Sequence, residues 1–444
     1  MSTPTIAIVS DHETAGGAAV ATRRIEASLR LGMPDWRIAR IAFFGDDQER
    51  ELGHRHILQP CESPLAMQLM RLPRKLMPSR FPRPASPAFA ERSLKQALSE
   101  IRPDVIQLNN VHGAADWGWG SWMVETCLQF APVVWTLHDM WSFTGRCAYA
   151  YDCERFVAGC DATCPTANEY PRLALEQIGP AWRERRTLYA RHRQRLTIVM
   201  PSRWLASQAR RGLFAEHRID VIPYGVPAAD QIPRREARMA LGLAADGPVL
   251  LLAAVDLRER RKGADILREL WLNKPHRPLT LLTMGSGVVP VADSPIRVHS
   301  LGYVADDRTK TLAYAAADAL LHPAPVDNLP NTVLEAMASG TPTIALPIGG
   351  LPELVSPGVT GWLADRATSD GLSEAVGAAL RAIEFGLDLR ESCRAVAMAE
   401  YSLRLQGERY RALIDEMYPF SRSPLASATQ ASCVTRSRSP KANG

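Results

Sequence analysis

Long apolar runs are missing from this chain of 444 residues. A membrane-spanning helix needs about 20 consecutive apolar residues. The stretch GPVLLLAAV, from Gly247 to Val255, suffices only for a buried strand. The N-terminus, MSTPTIAIVSDHETAGG, lacks the basic flank and extended apolar core of a secretory leader. These absences predict a cytoplasmic protein that meets a membrane only peripherally, on its inner face. A large excess of charge of one sign is also missing, with 52 Lys and Arg against 47 Asp and Glu and a net charge of +5. No RNA-recognition motif accompanies the basic residues, which argues against a nucleic-acid partner. There are eight cysteines but no C-x-x-C pair.

What remains is ordinary globular composition, 46% hydrophobic and 22% charged, at a length that suits two domains with separate cores. TIAIVSD (Thr5 to Asp11) reads as a strand, and Gly16 and Gly17 open a helix of small and apolar residues. DVIQLNN, PVVWTLHD and LTIVM continue the strands, and Ser202 is placed to cap the helix that follows. The alternation restarts at PVLLLAAVD and runs through PLTLLTMGSG, IRVHSLGYV, NTVLEAMASG and PTIALPIGG. Two successive strand–helix series predict an α/β chain of two doubly wound, Rossmann-like domains facing a cleft. The expected division is 1–222, 223–405, a C-terminal helix over 406–420 that packs back on the first domain, and a disordered tail over 421–444.

Two basic runs stand out, Met70 to Pro84 and Arg183 to Arg195. They read either as solvated faces or as a surface for anionic lipid head groups. Four cysteines fall together, Cys147, Cys153, Cys160 and Cys164, with five, six and three residues between them. In a reducing compartment they are not a disulfide framework. They could hold a structural zinc ion tetrahedrally or simply pack an irregular loop.

Asp327 and Glu335 lie eight positions apart, separated by an Asn-Leu-Pro-Asn turn and the start of a helix. Taken alone, Asp327 reads as a helix cap and Glu335 as a solvated helix residue. The ends of parallel strands are where ligands sit, so the pair also reads as two carboxylates at a cleft.

The surrounding residues favour the second reading. Asp327, Glu335, Gly340, Pro342, Gly349, Gly350 and Glu353 resemble the acidic-x7-Glu signature of the retaining GT-B glycosyltransferases of family 4. AGGAA, TLHD, PSRWLA, IPYGV, RRKG (Arg260 to Gly263) and LGYV are similar to further landmarks of that family, across nearly the whole chain. The cysteine-bearing segment HDMWSFTGRCAYAYDCERFVAGCDATCP is similar to a loop of enzymes that build exopolysaccharide repeat units, of the colanic acid type. Three positions depart from the pattern: Asp327 stands for Glu, Asp256 for an Arg six residues before the Lys, and Tyr224 for the Asn of an Asn-Gly pair.

The resemblance implies a hexosyltransferase that moves a sugar from a UDP- or GDP-sugar to a glycan or lipid-linked acceptor with retention. Lys262, helped by Arg258, would stabilise the departing diphosphate, and Arg261 and Gly263 belong to the same loop. The N–H groups of Gly16, Gly17, Leu329 and Asn331 can approach the phosphates, next to Asn328. Tyr303 and Val304 would meet the base, Glu335 the ribose and Asp327 the transferred sugar. His138 would contact the sugar or its phosphate, oriented by Asp139, and His112 would lie near the acceptor. No Asp-x-Asp motif is present, in keeping with a reaction that needs no metal or other cofactor. Two further readings stay open: a nucleotide-sugar-binding scaffold without activity, and a sugar-nucleotide epimerase.

Overall fold

A computed structural model describes residues 3–12, 16–44, 55–57, 87–113, 119–166, 170–272, 278–289, 291 and 295–417. The basic run Met70 to Pro84 and the tail 421–444 lie outside the described residues. Two parallel sheets organise the chain. The first has seven strands in the order β3-β2-β1-β4-β5-β6-β7. These are β1 Thr5–His12, β2 Arg37–Phe44, β3 Arg55–Ile57, β4 Val105–Leu108, β5 Val133–Thr136, β6 Leu196–Met200 and β7 Ile219–Val221. The second has six, in the order β10-β9-β8-β11-β12-β13. These are β8 Val249–Asp256, β9 Leu279–Ser286, β10 Ile296–Ser300, β11 Ala319–His322, β12 Thr343–Ala345 and β13 Gly361–Leu363. Every strand pair is parallel.

The central strands are mainly apolar because helices cover both faces of a parallel sheet. β4, β5, β6 and β11 are buried at every position. In both sheets the strand order reverses beside the first strand, β1 or β8, which makes a crevice at the carboxyl ends. The first helix, α1 (Gly17–Gly32), leaves β1 through one such crevice.

The last helix, Leu403–Met417, returns to the first sheet, beginning three residues before the expected 406. It crosses α1 at a glycine pair. A Cβ on Gly407 would lie 2.0 Å from the carbonyl oxygen of Ser28, and one on Gly32 would lie 2.5 Å from the Gly407 backbone. Only two glycines let the backbones meet this closely. Beyond the crossing, Tyr410, Leu413 and Ile414 join Ile6, Ile8, Ile25 and Leu29 in one buried cluster. The chain thus passes between lobes twice, and the two passages touch where the Val226 N–H donates to the Tyr401 carbonyl at 2.7 Å.

Candidate active site

The carboxyl ends of both sheets open onto one cleft of about 500 Å³, lined from the first lobe by Gly16, Gly17, His112, His138 and Tyr149, and from the second by Arg261, Lys262, Asp327 and Asn331 among others. Asp327 follows β11 and is 6% exposed. Its Oδ2 accepts from Lys262 Nζ at 2.7 Å, with His322 Nε2 at 3.6 Å. Its Oδ1 accepts the Asn328 N–H at 3.0 Å and the Tyr149 hydroxyl at 3.4 Å. Burial alone would raise this carboxyl's pKa, but Lys262 and His322 outweigh it and hold the group well below the usual carboxylate range. Asp327 is not the cap of the helix Asn331–Ala338, whose first turn starts at Pro330 without a side-chain cap.

The glycine pair downstream has a direct purpose here. A Cβ on Gly349 would lie 1.7 Å from the Asp327 carbonyl oxygen, and one on Gly350 would lie 2.0 Å from that of Asn328. The loop carrying Gly349 and Gly350 therefore rests on the backbone that presents Asp327. Glu353, just beyond, accepts the N–H groups of Arg203 and Trp204 at 3.0 and 2.9 Å, which caps the helix Arg203–Arg210 from the opposite lobe. Ser202 caps the same helix through the Leu205 N–H.

The loop Arg260 to Gly263, expected to meet phosphates, differs from expectation in its second cation. Arg258 donates to both oxygens of Asp256, at 3.0 and 2.8 Å, in an exposed pair. That pairing lowers the Asp256 pKa to about 2. Asp256 thus draws Arg258 onto itself, and Arg258 is not among the cleft-lining residues. Arg261 lines the cleft instead, with Nε held by Glu259 at 2.9 Å and its guanidinium 5.8 Å from the centre of the Tyr149 ring. Gly263 adopts φ 93°, with the place of a Cβ taken by the Pro323 carbonyl at 2.4 Å, so it shapes the loop from outside the cleft. Tyr303, 65% exposed, and Val304, packed against the second lobe's core, are also outside the cleft lining.

His138 lies at the end of β5 with both ring nitrogens engaged. Nδ1 meets the Tyr224 hydroxyl at 2.6 Å and Nε2 meets Asn109 Oδ1 at 3.3 Å. Its ring stacks on Tyr224 at 5.6 Å. Tyr224, one of the three departures from the family pattern, is therefore the partner of His138. Burial lowers the His138 pKa to about 4, so the ring is neutral at physiological pH. Asp139 does not orient it. That carboxylate takes His112 Nε2 at 2.8 Å and the Trp141 N–H at 2.9 Å. On the same wall Asp11 accepts from Asn110 Nδ2 at 2.7 Å and from the Gly113 N–H at 2.8 Å. Asn328 spends both ends of its amide on the first lobe, donating to the His138 carbonyl at 3.0 Å and accepting from Ser202 at 2.5 Å.

Glu335, one turn past the cleft-lining Asn331 and Thr332, is not itself among the cleft-lining residues; its Oε2 accepts from the Tyr314 hydroxyl at 2.8 Å and its Oε1 from Arg24 of α1. Sequence reasoning missed Arg24, Tyr149, Tyr314 and His322. Only His322 carried a signal, as the polar end of the apolar strand ALLH.

The four clustered cysteines line one small pocket with Phe156 and Ile178. Among the described residues no group of three or more His, Cys, Asp or Glu is arranged to hold a metal ion. The four thiols are free and share this pocket without forming such a group. Cys147 is buried, Cys160 accepts the Gly145 N–H at 3.1 Å, and burial pushes the Cys160 thiol up to about 12. The basic run Arg183 to Arg195 is not wholly solvated either. Arg185 turns inward, 3.8 Å from the centre of the Trp141 ring, and donates to the Trp141 and Thr144 carbonyls.

Residues 45–230 match the family described as Glycosyltransferase Family 4, and residues 247–382 match Glycosyl transferases group 1. A putative colanic acid biosynthesis glycosyl transferase, WcaC of Escherichia coli, is 31% identical over 48% of this chain and 51% of its own length. A D-inositol 3-phosphate glycosyltransferase of Actinosynnema mirum is 36% identical over 36% of this chain and 43% of its own. The chain thus spans about half the length of the curated relatives it matches. Among solved structures, sucrose-phosphate synthase from Thermosynechococcus elongatus superposes with a TM-score of 0.66 at 21% identity, covering 93% of this chain and 100% of that one. Anabaena HepE in complex with UDP-glucose superposes at 0.62 and 17% identity, covering 93% and 99%. At such identities the superpositions establish the GT-B fold. The two family matches together span most of the sequence, and the chain belongs to the group 1, family 4 glycosyltransferases.

Proposed function

We propose that this glycosyltransferase takes a hexose from a UDP- or GDP-sugar and transfers it, with retention, to a glycan or lipid-linked saccharide during synthesis of a surface polysaccharide. The observation that carries this reading is the Lys262–Asp327 pair facing Gly16 and Gly17 across the cleft. A nucleotide sugar brings a diphosphate whose outer phosphate gains charge as the sugar departs. Lys262 is the cation placed to meet that charge, with Arg261 beside it, and a group that meets charge as it develops lowers the barrier. Asp327 holds Lys262 in place; Lys262, Asn328 and Tyr149 take three of its about four lone-pair sites, so a sugar hydroxyl would share Oδ2 with Lys262 or displace Tyr149.

His138 is neutral and has both nitrogens engaged, so it serves as a dipolar wall and not as a general base. In a same-face reaction the departing phosphate itself accepts the acceptor's proton, and no protein base is required. The acceptor wall is then Asp11, Asn110 and His112. HepE, solved with UDP-glucose, and the colanic acid relative support a nucleotide-sugar donor and a polysaccharide product. A lipid-linked acceptor suits a chain that docks on anionic membrane through its basic runs. No described helix is long and apolar enough to cross a membrane.

The test is a thermal-shift titration with UDP and GDP on wild type and Glu335→Ala, followed by proton NMR of the product. One nucleotide should stabilise wild type alone, by about 2.7 kcal/mol at a hundredfold excess over its Kd. The product should keep the donor's anomeric configuration. An inverted product would overturn retention, and the absence of any shift would overturn the donor site.

A further inference from the structure

Glu335 is on the second lobe, yet one of its two protein partners comes from the first. Arg24 lies on α1, two turns past Gly17, and donates through Nη2 to Glu335 Oε1. Its Nη1 donates to Asn331 Oδ1 at 3.0 Å, and Asn331 Nδ2 in turn donates to the Gly17 carbonyl at 3.0 Å. On the far side the buried Tyr314 hydroxyl donates to Glu335 Oε2 at 2.8 Å. The result is one connected network, Tyr314–Glu335–Arg24–Asn331–Gly17, which closes across the cleft between the start of α1 and the helix Asn331–Ala338. The Arg24 and Glu335 side chains are 12% and 24% exposed, so the pair is largely shielded while a ligand can still reach the carboxylate.

An ionised carboxylate offers about four lone-pair sites, two on each oxygen. Arg24 takes one on Oε1 and Tyr314 one on Oε2. One site remains on each oxygen, and both belong to a carboxylate whose rotamer is pinned from two directions. Two vicinal hydroxyls are the chemical group that matches this remainder, and the ribose of a nucleoside diphosphate carries such a pair. Resting on the donor-site reading above, we propose that Arg24 is a positioning residue for ribose recognition. It orients Glu335 from the opposite lobe, so the ribose site is complete only when the cleft is closed. Because Asn331 ties the same network to Gly17, nucleoside recognition and the glycine turn beside the expected phosphates are set by one arrangement.

The experiment measures binding of UDP, GDP and their 2′-deoxy forms to the full chain by calorimetry. The proteins are wild type, Arg24→Gln, Arg24→Lys, Tyr314→Phe, Glu335→Gln and the double variant Arg24→Gln/Glu335→Gln. Wild type should prefer the ribo form of its nucleotide. A hydrogen bond to a charged group is lost in Arg24→Gln, so the ribo form should bind about tenfold more weakly or worse. The ribo/deoxy preference should fall toward one, which a merely structural role would not cause. Arg24→Lys should recover part of the preference. The double variant should be no weaker than Glu335→Gln alone. If Arg24→Gln does not fold, Tyr314→Phe carries the test, because it removes one hydroxyl and should reduce the same preference. An unchanged preference in Arg24→Gln overturns the proposal, as does tighter binding, which would make Arg24 a competitor of the ribose. If Glu335→Gln loses binding and Arg24→Gln does not, only the Arg24 assignment falls. If wild type binds neither nucleotide, the donor site itself falls.

Discussion

Replacing Lys262 with Met should reverse the pH dependence contributed by Asp327. In the native protein Lys262 Nζ is 2.7 Å from a carboxylate that is almost fully buried. The folded pKa of Asp327 is depressed below its unfolded value, which is about 3.9. It therefore contributes stability that is present above that value and is lost as pH falls through the folded pKa. Lys262→Met removes the largest attraction and leaves the burial. The Asp327 pKa should then rise above the unfolded value, so its ionisation opposes folding at neutral pH and the penalty is relieved as pH falls. Breaking a buried pair on one side costs about 3–5 kcal/mol. Lys262 is 24% exposed and His322 stays near, so the lower end, about 3 kcal/mol, applies. At about 2–4 °C per kcal/mol for a lobe of this size, Tm should drop by roughly 6–12 °C at pH 7.5. Differential scanning calorimetry of wild type and variant between pH 8 and pH 5 measures the gap. The gap should narrow toward pH 5, and Lys262→Met/Asp327→Leu should recover much of the loss, because an apolar pair carries no buried charge. A gap that is constant with pH, or a double variant no better than the single one, would refute the reasoning.

Three further outcomes follow from the geometry. His138, with its pKa lowered to about 4, should show no imidazole NMR titration between pH 8 and pH 5.5; an inflection near 6.5 would place the ring in a wetter setting. Gly349→Ala adds a methyl where the Asp327 carbonyl stands 1.7 Å away, at φ +56°, so it should abolish stabilisation by nucleotide while costing about 1–3 kcal/mol of backbone strain, readable as a lower Tm. Chelation with EDTA should leave Tm unchanged, as expected of cysteines that pack a loop; a drop reversed by zinc would restore the metal reading.

Much of the architecture was legible because strands buried on both faces are written as unbroken apolar runs, as in TIAIVSD and PVLLLAAVD. The acidic pair was legible for a different reason. Gly349 and Gly350 follow Asp327 and Asn328 by one helix and one strand, so the whole helix–strand unit that returns them to the supported backbone lies in one continuous stretch of sequence. The choice between Arg258 and Arg261 was not legible. Both lie within four residues of Lys262, and only the turn shows that Asp256 captures one while the other faces the cleft. Asp139 adjoins His138 in sequence, yet its carboxylate serves His112, which comes from the loop after β4.

The order of apolar runs, glycine turns and motif residues was enough to establish two parallel α/β lobes and to place Lys262, Asp327 and Glu335 at their meeting edge. Those features depend on short-range geometry: the period of a strand, the turn a glycine allows, the rise of a helix. Folding alone settled which side chains face one another across the cleft. Tyr149 reaches Asp327 over 178 positions and Arg24 reaches Glu335 over 311. Such contacts follow from how one lobe docks on the other. No spacing in the sequence encodes them, because each partner's direction is set by packing far from the other.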